Sequence, residues 1–367
     1  MLTEPHTTAV TILASGSSFG TYVPALLLDR QLRARGLTTD VLLIENSFLA
    51  EKRDNIAKTK SAFHHNFALA RMAPKLVRDI EPSLDLDRVE RLLDAWEGEG
   101  RRCFIVVYGF WVPILARYLA RAPFADEVRF DLVHPDAVIS PSWRYDTTDP
   151  RYHHVWLCDG QQRRINYRLQ VDDTPPLAYK QRNGRFVIHG GGWGLGTYQE
   201  RIPQLTAHGI KLDITAYEPG DLTDRAAAHR YYMIDPAWQP WERDRDGRHC
   251  FAPRGEVAPD GAVVYAHCDD RPCVYEFIRN AQGIISKPGG STLIDSLSSA
   301  TPLIVLEPFG GHEQRNAELW IDLGFAIHYR DWAAEGYGFA VLERLHRNLS
   351  AARQRVPNYV DAYCSLR

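Results

Sequence analysis

The stretch that decides the fold is residues 284–295, which read IISKPGGSTLID. A short apolar run is followed by a turn with Pro288 and two glycines, and then by two hydroxyl residues that open a helical pattern. A helix that begins after such a turn presents free backbone N–H groups and the positive end of its dipole, and this end attracts anions. Glycine also lets a phosphate approach the backbone closely. The stretch therefore predicts a diphosphate site at Gly289, Gly290, Ser291 and Thr292.

Asp295 follows about one helical turn later. From that position, a carboxylate can accept hydrogen bonds from two neighbouring ribose hydroxyls. The alternative interpretation of the whole stretch is a strand-to-helix turn closed by an ordinary helix cap.

The rest of the chain alternates apolar strand patterns with helical patterns, in two series. The first has strands at Val10–Ala14, Thr39–Ile44 and Cys103–Tyr108, and one long helix over 50–80. Residues 144–182 interrupt the alternation and are interpreted as the end of a domain plus a linker. The pattern then restarts with the strand Arg185–His189 and a glycine-rich loop. Such alternation is typical of parallel sheets that are covered on both faces.

We therefore predict an α/β protein with two Rossmann-like, doubly wound domains that face each other across a cleft. The expected boundaries are 1–180 for the N-terminal domain, 184–338 for the C-terminal domain, and 339–367 for a C-terminal helix that packs back on the N-terminal domain. Later strands are predicted at Lys211–Ala216, Val263–Tyr265, Gly283–Ile285 and Leu303–Leu306.

Composition narrows the class of protein. The 367 residues are 45% hydrophobic and 24% charged, with a net charge of −3, which favours a globular chain without a basic surface for nucleic acid. No apolar run reaches the roughly 18 residues of a membrane span. The N-terminal residues do not resemble a secretion signal, so a cytoplasmic protein is expected. Its six cysteines lack metal-site spacing, and free thiols, mostly buried, are therefore expected.

The sequence after the deciding stretch adds a family resemblance. Residues 301–308 read TPLIVLEP, a strand that ends in proline, and residues 309–317 read FGGHEQRNA. Together with 284–295 they resemble the donor half of GT-B fold glycosyltransferases, especially the branch of the peptidoglycan N-acetylglucosaminyltransferase and galactolipid synthases. The matching positions are Ser286, Gly289, Gly290, Asp295, Pro302, Pro308, Glu313, Gln314, Asn316 and Ala317. The spacing from Gln314 to Asn316 is one residue shorter than in the family.

The resemblance implies a nucleotide-sugar donor site. It implies that Asp295 holds the ribose and that Glu313 and Gln314 reach the sugar hydroxyls. It also brings the glycine loop after the strand Arg185–His189 close to the phosphates, which adds Gly191 and Gly192 to the site. A strand that recognises the base is expected shortly before Ser286, and His267 is the candidate residue there.

The acceptor half is less well defined. The loop Gly16–Gly20 resembles the first loop of the family, but Thr21 stands where the family has histidine. We place Gly20, Thr21, Trp111 and Trp143 on the acceptor side. For the aromatic residues, the alternative is packing in the core.

Inverting transfer needs a base that takes the proton of the acceptor. Candidates are Glu45, which follows a strand, and His64 and His65, whose ordinary pKa suits this work near neutral pH. His134 and Asp136 follow another apolar stretch. Each has an ordinary structural alternative, namely a surface charge, a histidine on a helix face or a carboxylate in a turn.

The sequence thus predicts a glycosyltransferase that moves a sugar from a nucleotide diphosphate donor to a small soluble acceptor. The branch that it resembles implies a UDP-sugar as the donor and inversion of configuration. The predicted enzyme needs no cofactor and no metal, because the helix N-terminus stabilises the leaving diphosphate. Alternatives on the same fold are a nucleotide-sugar hydrolase, a 2-epimerase, and a non-catalytic protein that binds nucleotide sugars.

Overall fold

The computed structural model describes residues 9–76, 79–222 and 228–366. The N-terminal half is built on a five-stranded sheet in the order β2-β1-β3-β4-β5, with every neighbouring pair parallel. Its strands are β1 (Val10–Ala14), β2 (Thr39–Leu43), β3 (Cys103–Val106), β4 (Arg129–His134) and β5 (Tyr152–Trp156). The strands β1, β3 and β4 are almost wholly buried, because helices cover both faces of the sheet.

Within the described residues of this half, five α-helices accompany the sheet. They are α1 (Phe19–Ala34), α2 (Ala50–His65), α3 (Phe67–Leu76), α4 (Leu86–Gly98) and α5 (Val112–Arg121). A short antiparallel pair, β6 (Cys158–Asp159) and β7 (Arg164–Ile165), follows the sheet.

The C-terminal half is built on a seven-stranded sheet in the order β11-β10-β9-β8-β12-β13-β14. All pairs are parallel except β10 with β11, which is antiparallel. Its strands are β8 (Arg185–His189), β9 (Lys211–Ala216), β10 (Arg230–Ile234), β11 (Arg254–Glu256), β12 (Gly283–Ser286), β13 (Leu303–Val305) and β14 (Ala326–His328).

Seven α-helices lie in the described part of the second half of the chain. They are α6 (Tyr198–Ala207), α7 (Cys273–Asn280), α8 (Gly290–Ser299), α9 (Gly311–Asp322), α10 (Tyr329–Ala334), α11 (Phe339–Arg355) and α12 (Tyr359–Ser365). The two parallel sheets and their helices confirm the predicted fold class.

The two last helices contact different parts of the molecule. Helix α11 packs on α8, whereas α12 packs on α1. Asn358 Nδ2, just before α12, donates to Gln31 Oε1 of α1 at 2.8 Å. The domain boundaries given above stay a prediction.

Two sequence predictions of local structure were wrong, and the interval 144–182, interpreted as the end of a domain plus a linker, also holds a strand. The single helix over 50–80 is two helices, because Asn66 ends α2 and its Oδ1 accepts a hydrogen bond from Leu69 N in the first turn of α3. The interval 144–182 contains the edge strand β5 in addition to irregular chain. The expected strand at Val263–Tyr265 is absent from the described chain, where residues 263 and 266 form only isolated bridges to β11 and its neighbour.

The cysteine expectation also needs correction. Cys268 and Cys273 are joined in a disulfide, with their Cα atoms 5.5 Å apart, because the turn before α7 brings them together. The remaining four are free thiols, of which Cys158 is buried. Among the helices in the described ranges, none has the length and apolar character that crossing a membrane requires.

Candidate functional site

The glycine loop and the start of α8 lie at the same edge of the second sheet. Strands β8 and β12 are neighbours, with His189 opposite Ser286, so the loops that follow them emerge side by side. Ser286 Oγ is buried and donates to His189 O at 2.9 Å. The carboxyl edge of a parallel sheet is where ligands bind in doubly wound folds.

Helix α8 begins without a side-chain cap. Gly289 is its N-cap residue and makes no side-chain capping bond, so the first backbone N–H groups face the cleft. Ser291 Oγ donates to Phe19 O of the N-terminal half at 2.5 Å, and Thr292 is buried. The sequence-predicted diphosphate residues therefore come together where the two halves meet.

Beside this helix end is a cavity of about 680 Å³, part of it open to solvent. Its polar wall includes Gly191, Gly192, Ser291, Thr292 and Asp295, all predicted from the sequence, and also His189 and Arg254. Phe19, Tyr22, Phe251 and Val274 are among its apolar lining residues.

Asp295 is a buried carboxyl group with an unused acceptor. Its side chain lies on the inner face of α8, and Oδ1 has no hydrogen-bond partner among the described residues. Burial raises the pKa of Asp295 to about 8. Because a buried polar group without a partner is costly, this oxygen is suited to accept hydrogen bonds from a ligand in the cavity.

His189 offers a complementary donor. Its Nδ1 accepts a hydrogen bond from Gly191 N at 3.0 Å, which leaves the ring proton on Nε2. Burial, together with the positive charges of Arg254 and Lys287, lowers the pKa of His189 to about 3, so the ring stays neutral. Nε2 has no partner within the described chain, so its N–H is free for a ligand.

Arg254 brings a positive charge to the same cavity. Its Nη1 donates to Thr215 Oγ1 at 3.0 Å, and no carboxylate in the described ranges forms an ion pair with it. Burial lowers the pKa of Arg254 to about 10, which leaves it cationic at neutral pH. The backbone of Arg254 pairs with that of Ala266, so β11 and the neighbouring segment hold the guanidinium in position.

A second group of residues, Lys287, Phe309 and Glu313, lies at the α8 N-terminus on the side away from the cavity. Glu313 is buried, accepts from Lys287 Nζ and Phe309 N, both at 2.7 Å, and does not line the cavity. Gln314 is exposed and donates to Glu318 at 3.1 Å. The contacts of Glu313 and Gln314 with a sugar stay a prediction.

Asp136 reaches this group from the N-terminal half. Asn316 Nδ2 donates to Asp136 Oδ1 at 2.8 Å, and Asn316 Oδ1 accepts from Ala137 N at 2.7 Å. Burial raises the pKa of Asp136. A side chain on Gly290 would begin only 3.3 Å from Asp136 Oδ1, so glycine at this position lets the carboxyl group lie against the helix end.

His64 connects α2 to the second half of the chain. Its Nδ1 donates to Gly194 O at 2.8 Å and its Nε2 to Asp221 Oδ1 at 2.9 Å. Burial opposes the charged ring, but the bonds to Asp221 and Gly194 outweigh it and raise the pKa of His64. Gly194 has a φ of +59°, and a side chain there would begin 2.6 Å from His64 Nδ1, so glycine is required at this contact.

His64 also belongs to the one group of possible metal ligands among the described residues. Ligand-type atoms of His64, Glu218 and Asp221 lie within 4.8 Å of one another. His65, next in the chain, is exposed and pairs with Glu218 at 3.0 Å. Because both ring nitrogens of His64 donate hydrogen bonds, neither has a free lone pair for a proton from an acceptor.

The carboxylate of Glu45 accepts hydrogen bonds from the first loop. It is fully buried, and its oxygens accept from Ser15 Oγ at 2.6 Å, Gly16 N at 2.9 Å and Ser17 N at 2.8 Å. Thr21 Oγ1 donates to Ser15 O at 3.0 Å within the same loop. Both residues hold the shape of the first loop.

Other predicted residues lie away from the cavity. Trp111 is fully buried and donates to Ala14 O, and Trp143 is buried against His134, so both rings are part of the core. Gly20 lies in the first turn of α1 and does not line the cavity, and His267 is exposed in the loop before the disulfide. His134 is buried, and burial beside His154 lowers its pKa to about 3.

Sequence reasoning missed Arg254 and underused His189 and Asp136. Arg254 lies in an irregular interval, FAPRGEV at 251–257, which shows no motif. The one feature that could have indicated Arg254 is a charged residue directly after the apolar residues 251–253, because a charge in an apolar setting is normally paired or functional.

The burial of Asp295 leads to a testable prediction about pH. Its pKa is about 8 in the folded chain and near 3.9 when unfolded, so the folded state binds more protons between these values. The contribution of protonated Asp295 to the free energy of unfolding is therefore fully present at low pH and is lost as pH rises from about 4 to 8. We expect Asp295→Asn to gain melting temperature relative to the wild type over this pH interval, in thermal unfolding scans.

Asp54→Asn, on the exposed face of α2, is the control and should follow the wild type at every pH. A constant difference between Asp295→Asn and wild type from pH 4 to 8 would contradict the assignment of a protonated, buried carboxyl group.

Comparison with known proteins supports the fold. No protein-family model matches the chain, and no curated protein matches it. Among solved structures, it is similar to MurG of Acinetobacter baumannii, with a TM-score of 0.53, 14% identity, and 98% and 99% of the two chains covered. The glycosyltransferase SsfS6 of Streptomyces sp. SF2575 has a TM-score of 0.55 at 12% identity, with the same coverage. The spinosyn rhamnosyltransferase SpnG has 0.53 at 12% identity, again over 98% and 99%. The chain therefore has the two-domain GT-B fold of these glycosyltransferases.

Proposed function

We propose that this protein transfers a sugar from a nucleotide diphosphate donor, a UDP-sugar in the first instance, to a small acceptor, with inversion. One observation carries the proposal. The acceptor oxygen of Asp295, the N–H of His189, the cation of Arg254 and the uncapped end of α8 all line one cavity. Together they match a ribose that is followed by a diphosphate.

The charges of the site suit the departure of the nucleotide. When the bond between the sugar and the diphosphate breaks, negative charge accumulates on the leaving phosphate oxygens. Arg254 and the N-terminus of α8 are fixed in advance and partly shielded from water, so they stabilise this charge in the transition state. His189 adds a neutral N–H donor. The step proceeds without a divalent ion in this proposal.

Solved relatives support the choice of ligand class. SpnG has been solved with thymidine diphosphate, at a TM-score of 0.51 to this chain, and with spinosyn aglycone, at 0.50. For this chain we infer a pyrimidine nucleotide diphosphate in the cavity. The ribose would meet Asp295, and the base would lie against the apolar residues Phe251 and Val274.

We assign the sugar to the other side of the α8 N-terminus. There Asp136 approaches Gly290 from the N-terminal half, and Glu313 lies buried beside Gly289. Carboxylates beside the proposed phosphate site are suited to accept hydrogen bonds from sugar hydroxyls.

A nucleotide-release assay tests the reaction. UDP-sugars and dTDP-sugars are incubated with the protein, with and without a metabolite extract as the acceptor source. Sugar transfer predicts nucleotide release only when the extract is present. Release without extract would support a hydrolase instead, and binding without any release would support a silent nucleotide-sugar binder.

Arg254 provides a test of the diphosphate assignment. We expect Arg254→Met to weaken UDP binding by roughly 10- to 100-fold, which corresponds to the loss of a charge-assisted hydrogen bond. Uridine, which lacks phosphates, should bind the variant and the wild type equally. Calorimetric titration measures both, and Arg245→Met, on an exposed loop, is the control. Equal loss of uridine and UDP affinity would contradict a direct role at the phosphates.

Asp136 provides a test of the sugar assignment. Asp136→Asn keeps an oxygen for Asn316 but removes the charge. We expect the kcat/KM for the nucleotide sugar to fall about 10-fold or more, as one charged hydrogen bond is lost, while the Kd for free UDP stays unchanged. Asp126→Asn, at an exposed position, is the control. Unchanged kcat/KM in Asp136→Asn would remove this carboxylate from the sugar site.

A further inference from the structure

A second cavity lies on the other side of Phe19 and the glycine loop. It encloses about 980 Å³, part of it open to solvent, and shares Phe19, Gly191, Gly192 and Thr215 with the donor cavity. We propose that this second cavity binds the acceptor, and that the acceptor is a planar aromatic molecule with an anionic group such as a carboxylate. The acceptor role rests on the sugar transfer proposed above, whereas the binding chemistry does not.

Aromatic and proline side chains form much of the wall of the second cavity. The lining residues include Phe19, Ile56, Pro236, Trp238, Pro240 and Trp241. Trp238 packs edge-on against Phe19, with ring centroids 6.0 Å apart, and against Tyr22 at 5.7 Å. Indole, phenyl and pyrrolidine rings have few rotatable bonds, so they form a surface that a planar ring system can stack on with little loss of entropy.

Lys60 places a positive charge in this apolar setting. It projects from α2 into the cavity, and its ammonium group lies 5.5 Å from the centre of the Trp193 ring. No residue in the described ranges gives Lys60 a hydrogen bond or an ion pair. Burial lowers its pKa, although the charge of Glu45 partly opposes that effect. A half-buried ammonium group whose only contact is with a ring face is suited to an anionic ligand.

The other charged groups near the cavity do not replace that ligand. The charge of Glu45 acts on Lys60, but the oxygens of Glu45 already accept three hydrogen bonds from residues 15–17. Asp235 also lines the cavity, and its Oδ1 accepts from Ala237 N at 2.9 Å in its own turn. His64 contacts Asp221 and Gly194 on the far side of the loop.

The position of the cavity fits an acceptor. Phe19 separates it from the donor cavity, and the carbonyl of Phe19 accepts the hydrogen bond from Ser291 at the start of α8. The ring of Phe19 lies directly against Gly192, where a side chain would begin 2.7 Å from it. The second cavity therefore adjoins the donor cavity across Phe19 and Gly192.

Calorimetric titration with three probe molecules tests this proposal. The probes are 2-naphthoate, its uncharged amide 2-naphthamide, and octanoate as an aliphatic carboxylate. We expect 2-naphthoate to bind about 10-fold or more tightly than either of the others, because only it satisfies both the aromatic walls and Lys60. Binding should persist when UDP saturates the protein, since the two cavities are distinct.

Variants of Lys60 make the test specific. Lys60→Met should bind 2-naphthoate and 2-naphthamide equally, whereas Lys60→Arg, which keeps the charge, should retain the preference for the carboxylate. Lys58→Met, on the exposed face of the same helix, should behave as wild type. Melting temperatures show whether each variant is folded. If Lys60→Met does not fold, Lys60→Arg still tests the proposal.

The results separate this proposal from the proposed function. Equal affinity for the naphthoate and its amide in the wild type, or octanoate binding as tightly as naphthoate, would overturn the acceptor class. Failure of UDP to bind while naphthoate binds through Lys60 would instead overturn the donor site and leave the second cavity as an anion-binding site.

Discussion

Burial of a polar group without a partner costs about 1–3 kcal/mol, and the donor cavity contains several such groups side by side. Asp295 has a free acceptor, His189 a free N–H, and Arg254 a charge without a carboxylate. The strands β8, β11 and β12 and the helix α8 hold these groups on one wall. Because the fold stabilises an arrangement that is unfavourable on its own, a ligand with hydroxyls and phosphates is the natural partner of that wall.

The two halves of the molecule meet through loops at the carboxyl edges of their sheets, and the same contacts define the cleft. Glu45 holds the backbone of the first loop, whose Phe19 carbonyl receives Ser291. His64 spans from α2 to Gly194 and Asp221 with a charged ring. Its raised pKa means that this contact is fully formed below about pH 6.5, and that it weakens as pH rises through the folded value. Two of the candidate bases, Glu45 and His64, therefore take part in contacts that hold the loops of the cleft.

The sequence allowed prediction of the fold and of five residues that line the cavity beside α8, because both depend on local signals. Strand, glycine turn and helix follow one another within 284–295, and the structure has them in that order. The acceptor half could not be predicted in the same way, because its character arises from contacts that are distant in sequence. Lys60 and Trp238 come together across about half the chain, and Arg254 lies in an interval without periodicity. Burial decided the case of Trp111, which we placed on the acceptor side with core packing as the alternative, and which fills the core.

The central claim is that the cavity beside α8 binds a nucleotide diphosphate through its unpaired groups. Calorimetric titration of UDP at pH 7, in two buffers of different ionisation enthalpy, tests it most directly. Since Asp295 is protonated before binding and would accept ribose hydroxyls as a carboxylate, the account predicts saturable binding with release of a proton. This release should be absent in Asp295→Asn. No binding of UDP or dTDP, or the same proton release in the variant, would contradict the account.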